Sequence, residues 1–301
     1  MALNVQTFKT RTISAAIFVV VMLAGLLINH WTFFILFSVI HFGCWIEYQR
    51  LVGLIDKNYQ SITPFHRYGV MIAGWCIMLY FSPDTYKIFG MQLHEIGWWL
   101  GLIFVFVLPI MELLFTMNIQ PKLIAHSFFG LIYISLSLGL MMDLSRSFDF
   151  HFYDTLIAVD NLTVPMFIIA CIWINDTMAY IIGSFIGRTQ LSKISPKKTW
   201  EGTIGGILLT VAAAGFAAWK YNIPLVFLII PAAIISIAAV FGDLLQSKLK
   251  RLAGVKDSGS ILPGHGGFLD RFDSMLFAIL FVWLYVELFL IENHLPFSVS
   301  P

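Results

Sequence analysis

Residues 223–246 read IPLVFLIIPAAIISIAAVFGDLLQ, and no charged side chain occurs in this stretch before Asp243. As an α-helix, an apolar run of this length spans the hydrocarbon core of a bilayer, which is about 30 Å thick. The run shows no alternation of apolar and polar residues, which argues against a strand of a membrane β-barrel. We therefore predict that this stretch crosses a membrane as a helix.

Similar runs recur along the whole chain. Of its 301 residues, 59% are hydrophobic and only 12% are charged, whereas soluble domains carry about 25% charged residues. Because a backbone in lipid must satisfy its own hydrogen bonds, helices are the expected structure. We predict an all-α, polytopic transmembrane bundle with nine spans: residues 12–29, 31–49, 67–81, 96–116, 123–142, 163–183, 201–219, 223–246 and 272–291. It forms one integral membrane unit, in which residues 1–160 supply N-terminal helices and residues 161–301 carry the motifs described below.

The positions of lysine and arginine orient these spans, because cytoplasmic loops retain positive charge. If the N-terminus is cytoplasmic, all of the 18 Lys and Arg residues fall in inside segments except Lys87, Arg146 and Lys220. The outside loop 143–162 is acidic instead. We therefore expect the N-terminus in the cytoplasm and the C-terminus outside.

Carboxylates in the spans gather on the cytoplasmic side of this topology. At ~1.5 Å per residue, Asp243 lies about 30 Å along its helix from Ile223, and Asp273 begins an outward-going helix. Ionisable groups in spans usually pair, line a polar cavity or do chemistry. Carboxylates and basic loops at one face favour a reaction between a soluble anion and a lipid headgroup over transport. For Glu47, Glu112 and Glu287, an ordinary cap or interface role is the favoured interpretation.

The polar segment 242–274 reads GDLLQSKLKRLAGVKDSGSILPGHGGFLDRFDS. Its glycines let backbone amides approach an anion closely, as a phosphate cradle requires. Asp270 and Asp273 share one face of the helix that starts there. Carboxylates among so many cations suggest Mg²⁺ bridging carboxylate and phosphate oxygens. A flexible linker would not require the histidine, carboxylates and cations as well.

Two further elements precede this segment. In SPKKTWEG, residues 195–202, Ser195-Pro196 fits a turn and Thr199 can cap the following helix. Its two lysines, taken alone, are most often a topology signal or a binder of acidic lipid. In NDTMAYIIGSFIG, residues 175–187, the glycines Gly183 and Gly187 are spaced for close helix packing. We expect Asn175-Asp176 to face the bundle interior.

The stretch from Ser247 to Asp273 resembles the signature of phosphatidate cytidylyltransferases, also called CDP-diacylglycerol synthases. The signature runs Ser, any residue, an apolar residue, Lys-Arg, four residues and Lys-Asp. It continues later with His-Gly-Gly, an apolar residue, any residue, Asp-Arg, one residue and Asp. Every required position is met here. The two preceding elements resemble the same family in the expected order, and the resemblance covers about residues 172–275.

The resemblance implies CMP transfer from CTP to phosphatidate in phospholipid biosynthesis, with release of pyrophosphate. It implies Mg²⁺ dependence with Asp243 and Asp270 as metal ligands, Asp273 as a third or outer ligand, and a second cation left open. His265 would donate to a phosphate or orient a ligand. The remaining candidates contact substrate, without division between CTP and lipid: Ser195, Lys197, Lys198, Arg251, Lys256, Arg271, Asn175 and Asp176. The implied partners are CTP, phosphatidate, membrane lipid and a second copy in a homodimer, with no nucleic acid, in the cytoplasmic membrane and with the active site facing the cytoplasm.

Other functions remain as alternatives. A transporter would commonly show repeats, with broken helices meeting near the bilayer midplane. Here no repeat is visible, and the polar groups gather at the inner face. A CDP-alcohol phosphotransferase would need an Asp-Gly…Ala-Arg motif, whereas Asp176 is followed by Thr177 and Ala179 by Tyr180. A related activity on an isoprenoid or archaeal-type lipid is harder to separate from the favoured one by sequence.

Overall fold

The computed structural model describes residues 5–115, 120–152, 155–259 and 266–291, and these residues are predominantly α-helical. The helices are α1 (Val5–Leu27), α2 (His30–Ile55), α3 (Pro64–Tyr80), α4 (Leu93–Phe115), α5 (Pro121–Gly130), α6 (Ser137–Asp143), α7 (Thr163–Ile186), α8 (Trp200–Tyr221), α9 (Leu225–Leu252) and α10 (Leu269–Tyr285). A 3₁₀-helix covers Lys57–Ser61, and π-helical turns cover Leu131–Leu136 and Val286–Ile291. Each predicted span falls on a helix; for the fifth span, the π-helical turn joins α5 and α6 into one rod.

Within the described residues, seven helical segments are long and apolar enough to cross a membrane. They include every predicted span except the first and the third. The apolar part of α1, Ala16–Leu27, is shorter, and α3 has 17 residues. The protein is therefore an integral membrane protein whose described residues contain seven candidate spans, and the count of nine stays a prediction.

Across the described ranges, three short antiparallel hairpins connect helices. They pair β1 (Lys87–Ile88) with β2 (Met91–Gln92), β3 (Phe148–Phe152) with β4 (Thr155–Val159), and β5 (Gln190–Ser192) with β6 (Ser195–Thr199). The last hairpin leads directly into α8. Its turn is formed by Lys193-Ile194, and Ser195-Pro196 begins β6. Our prediction of a turn at Ser195-Pro196 was therefore wrong by two residues. Proline has no N–H to donate, but at the start of an edge strand no partner strand needs that hydrogen bond.

The described residues divide into two compact units. The first comprises those within Met1–Asp143 and Leu249–Phe272, and the second those within Leu144–Lys248 and Asp273–Pro301. The last turn of α9, the first turn of α10 and the described parts of the loop between them thus belong to the first unit. The core of that unit is aromatic and aliphatic, with almost fully buried side chains at Phe33, Phe37, Trp45, Tyr48, Met78 and Ile134.

In the second unit, α7 and α8 make a close backbone contact. A Cβ atom added to Gly202 of α8 would lie 2.6 Å from the Ala179 carbonyl oxygen and 2.9 Å from Gly183 Cα, both in α7. No side chain fits at these distances. The expected packing role of Gly183 is therefore confirmed, and its partner is Gly202 of the SPKKTWEG element.

Candidate functional site

Glu47 of α2 is buried, with 3% of its surface exposed, and it holds the start of α10. Its Oε1 accepts a hydrogen bond from the Phe268 backbone N–H at 2.9 Å. Its Oε2 accepts from the Leu269 N–H at 3.0 Å and from the Ser258 hydroxyl at 2.7 Å. The first N–H groups of a helix have no partner within the helix and favour a negative charge. Glu47 therefore caps α10 from a position more than 200 residues earlier in the chain.

Asp270, in the first turn of α10, is a second carboxylate that binds backbone N–H groups of the loop between α9 and α10. Its Oδ1 accepts a hydrogen bond from Lys250 Nζ at 2.7 Å. Its Oδ2 accepts from the backbone N–H groups of Ser258 at 2.8 Å and Gly267 at 3.0 Å. Ser258 thus joins the two acids, because its N–H binds Asp270 while its hydroxyl binds Glu47.

Gly259 and Gly267, in the described parts of the loop between α9 and α10, must be glycines because the Glu47 carboxylate lies so close to them. A Cβ atom on Gly259 or on Gly267 would lie 2.1 Å from an oxygen of the Glu47 carboxylate. The sequence suggested that these glycines let the backbone cradle a phosphate. In the described part of the loop, the amides of Ser258, Gly267, Phe268 and Leu269 donate to protein carboxylates instead.

A second cluster lies in the second unit, where Lys198 of β6 meets Asp243 of α9. The distance from Lys198 Nζ to Asp243 Oδ2 is 2.9 Å, and both side chains are partly exposed. Asp243 and Asp270, the two predicted metal ligands, therefore belong to different units, and each is paired with a lysine of its own unit. Lys198 was predicted as a substrate contact, and here it neutralises a carboxylate.

The first turn of α8 is held by its own motif. Thr199 Oγ1 accepts a hydrogen bond from the Gly202 N–H at 3.2 Å, as predicted for a helix cap. The Glu201 carboxylate accepts from the backbone N–H groups of Arg188 and Thr189, each at 3.1 Å. These bonds fasten the chain after α7 to α8, so Glu201 has a structural role here.

Neighbouring positions in α7 differ in their surroundings. Asn175 is buried, and its Oδ1 has no hydrogen-bond partner among the described residues, whereas Asp176 is exposed. Our expectation that both face the interior was therefore wrong for Asp176, because successive helical residues point about 100° apart. In α9, one turn after Asp243, the amide of Gln246 is fully buried and is likewise without a partner in the described chain. Each unpaired buried group costs about 1–3 kcal/mol, so a bound polar group would stabilise both.

The remaining predicted site residues are placed as follows. Asp273 is buried in the second unit, and its Oδ1 accepts a hydrogen bond from the Ser274 N–H at 2.7 Å. Ser195 is half-buried in β6. Four basic side chains are exposed: Lys197, Arg251, Lys256 and Arg271. His265 lies outside the described residues.

Carboxylate oxygens are suitable ligands for Mg²⁺, but the described residues contain no group of three or more His, Cys, Asp or Glu side chains that could hold a metal ion. Mg²⁺ usually binds through one or two carboxylates together with substrate phosphates, not in a cage made by the protein alone. Asp243 and Asp270 each provide one carboxylate of this kind.

From the sequence we expected Glu47 to have only an ordinary cap or interface role. The signal was present, because Glu47 is the only acidic residue in α2, a 26-residue apolar helix. A lone carboxylate in such a span requires a partner. Its partners are backbone N–H groups and a serine hydroxyl, which no pattern of charged residues reveals.

The chain matches the model of the Cytidylyltransferase family over residues 9–289. It is 46% identical over 135 residues to a phosphatidate cytidylyltransferase of Synechocystis sp., covering 43% of this chain and 45% of the relative. It is 40% identical over 145 residues to that of Bacillus subtilis, covering 46% and 54%. A protein of the same name from Staphylococcus haemolyticus is 40% identical over 177 residues, covering 54% and 67%. The first two matches thus span about half the length of the relatives.

Proposed function

This chain belongs to the cytidylyltransferase family, and from that premise we propose that it transfers the cytidylyl group of CTP to phosphatidate. The products are CDP-diacylglycerol and pyrophosphate. The names of the relatives support this choice. One structural observation supports it: in the described part of the motif loop, Lys250 and the Ser258 N–H both bind the Asp270 carboxylate. A flexible connector would have no such arrangement.

In the proposed reaction, a phosphate oxygen of phosphatidate attacks the α-phosphorus of CTP. The new bond joins that oxygen to phosphorus, and the bond from the α-phosphorus to the oxygen of the β-phosphate breaks as pyrophosphate leaves. Both reactants are polyanions, so positioning and charge neutralisation supply most of the catalysis. A phosphate monoester is substantially ionised at neutral pH, so no strong general base is needed.

The basic residues of the site would bind the phosphates of both substrates. The exposed guanidinium of Arg271 can grip a phosphate through two hydrogen bonds. Lys197, Arg251 and Lys256 are exposed cations in the two motif segments, and we propose that they contact phosphate too. Lys198 would be shared between Asp243 and substrate. Ser195, Asn175 and Asp176 remain proposed substrate contacts, and His265 a proposed phosphate donor.

We propose that Asp243 and Asp270 hold Mg²⁺, with Asp273 supporting them. When bound, the ion would neutralise charge on the α- and β-phosphates and on the leaving pyrophosphate. Lys198 and Lys250 pair with these two carboxylates, and in this proposal Asp243 and Asp270 would contact the ion in place of the lysines. We also propose that Asp176 helps to bind a second cation.

We further propose nine spans, an N-terminus in the cytoplasm, a C-terminus outside and an active site that faces the cytoplasm at the inner membrane. In this proposal residues 161–301 supply the catalytic motifs and residues 1–160 the helices that support them, and the enzyme works as a homodimer. The excess of basic residues in the inside segments supports the orientation. A reporter fused at Pro301 should be detected outside the cytoplasm, and a cytoplasmic signal would contradict the orientation.

The proposed activity is tested by incubating purified protein with labelled CTP, Mg²⁺ and phosphatidate. A labelled liponucleotide is expected. The same assay with an isoprenoid-based lipid phosphate in place of phosphatidate addresses the nearest alternative, since faster turnover of that lipid would reassign the substrate. Product formation from a CDP-linked lipid and an alcohol, without CTP, would indicate a CDP-alcohol phosphotransferase.

A further inference from the structure

We infer that Glu47 is a positioning residue of the catalytic site, which fixes the loop that presents Asp270. The inference rests on the proposed function, in which Asp270 acts on the substrates. Glu47 itself touches no reacting group in this scheme. It acts through the backbone of α10 and through Ser258.

The path from Glu47 to Asp270 is short and consists of hydrogen bonds. The Ser258 hydroxyl donates to Glu47 Oε2 at 2.7 Å, and the Ser258 N–H donates to Asp270 Oδ2 at 2.8 Å. On the other side, Glu47 binds the N–H groups of Phe268 and Leu269, which immediately precede Asp270. Any displacement of the Glu47 carboxylate therefore moves both segments that hold Asp270.

The shape of α2 supports this role. Gly43 lies one helical turn before Glu47, and a Cβ atom added there would lie 2.4 Å from the Phe268 ring. Gly259 and Gly267 have no room for a side chain against Glu47 itself. The face of α2 at positions 43 and 47 thus receives the Phe268 ring and the adjacent backbone, and α2 sets where α10 begins.

An ordinary helix cap would not require this arrangement. A serine, threonine, asparagine or aspartate next to the helix start provides a cap from within the same segment. Here the cap is a carboxylate on a different, apolar helix, where an ionisable group is costly. The arrangement also uses the N–H groups of Phe268 and Leu269, which an incoming phosphate would otherwise bind at this helix end.

The test compares Glu47→Ala and Glu47→Gln with Glu112→Gln. Glu112 is a matched control, because it is a second largely buried carboxylate of the first unit and pairs with His66 at 3.1 Å. Misplacing a reacting group by about 1 Å costs about 100-fold in rate, so Glu47→Ala should lower kcat by about that factor with little change in KM for CTP. Glu47→Gln should recover part of the rate, because its amide oxygen still accepts the Phe268 N–H and its amide nitrogen can donate to the Ser258 hydroxyl, whereas the Leu269 N–H loses its acceptor. Glu112→Gln should keep kcat.

Amide hydrogen exchange supplies a readout that does not depend on activity. The Ser258 and Gly267 N–H groups, which donate to Asp270, should exchange faster in Glu47→Ala and should be unchanged in Glu112→Gln. Unchanged exchange at these two amides would overturn the inference, and so would faster exchange with normal kcat. Loss of activity in proportion to lost thermal stability, in Glu47 and Glu112 variants alike, would reduce Glu47 to a structural residue. An inactive wild type would reject the proposed function alone, because exchange would still test whether Glu47 positions Asp270.

Discussion

Lys198 Nζ lies 2.9 Å from Asp243 Oδ2 and joins the hairpin before α8 to α9 within the second unit. Lys197, its neighbour in the sequence, is exposed. Successive side chains of a strand point to opposite faces, so the two lysines of one motif have different surroundings. From the sequence we predicted that both lysines contact phosphate in the same way. In the structure, Lys198 pairs with a carboxylate, whereas Lys197 is exposed and can reach a ligand.

Replacing these lysines one at a time should therefore give unequal effects. Lys198 and Asp243 form an ion pair between partly exposed side chains, and such a pair contributes up to about 1 kcal/mol. Lys198→Ala should therefore lower kcat/KM by up to about fivefold and lower Tm slightly, because Asp243 loses its partner. Lys197→Ala should mainly raise KM and leave Tm unchanged. Steady-state kinetics with both substrates and thermal unfolding in detergent measure this difference. Equal effects of the two substitutions would contradict the distinction.

Because α7 and α8 are in close backbone contact at Gly202, even an alanine at this position should lower the stability of the protein. Gly202→Ala forces a methyl group against the Ala179 carbonyl and should destabilise the protein by about 1–3 kcal/mol. Gly215→Ala on the same helix is the control, because its nearest neighbour is the Ile229 side chain at 3.4 Å. This change should be neutral or stabilise by up to about 1 kcal/mol, since alanine favours a helix. Tm values in one detergent compare them, and equal shifts would contradict the backbone contact.

Asp56, which follows α2, predicts a pH dependence of stability. Its carboxylate pairs with Lys122 Nζ at 2.9 Å, and this bond, helped by the Asn58 N–H, lowers the pKa of Asp56 below its usual value. A lowered folded-state pKa stabilises the fold above the unfolded-state pKa of about 4, and this contribution is lost as the pH falls through the folded-state value.

The substitution Asp56→Asn keeps a side-chain oxygen for the Asn58 N–H and removes the charge. Wild type should therefore have the higher Tm at pH 7, and the gap should shrink as the pH falls below about 4. Lys122→Met, which removes the same pair from the other side, should show a similar trend. A gap that widens in acid would contradict the assigned direction of the pKa shift.

Removing divalent ions should separate activity from stability. Lys198 and Lys250 neutralise Asp243 and Asp270 in the protein itself, so chelation should abolish turnover while Tm stays within about 1 °C. This is less than the shift of about 1.6 °C that 1 kcal/mol produces in a protein of this size. Restored turnover on adding Mg²⁺ would complete the test. Unfolding on chelation would show instead that a metal ion is part of the fold.

Much of the fold could be predicted from the sequence, because apolar length and glycine spacing act locally. The run 223–246 fell on α9, and Gly183 packs against α8 as its spacing indicated. Helix α3 matches its predicted position but is too short to be counted with the seven candidate spans. Whether a short helix spans depends on its neighbours and on the lipid, which periodicity does not contain.

The candidate site was only partly predictable. The motif residues Asp243 and Asp270 stood out as costly charges, but their lysine partners Lys198 and Lys250 could not be chosen from several nearby cations. Glu47 was missed because its partners are backbone amides in a loop more than 200 residues away. Hydrogen bonds over that separation are set by tertiary packing, and sequence spacing carries no information about them.

The most direct measurement follows the label of CTP into products with the purified protein, Mg²⁺ and phosphatidate. With label on the α-phosphate, the label should enter the lipid product, and with label on the γ-phosphate it should appear only in pyrophosphate. Asp270→Asn should stop both the transfer of the α-label to lipid and the release of labelled pyrophosphate, while the protein remains folded. Asp160 is an exposed carboxylate before α7, and Asp160→Asn should change neither process. Transfer of the γ-label to lipid, or full transfer of the α-label by Asp270→Asn, would contradict the proposed reaction or the role assigned to Asp270.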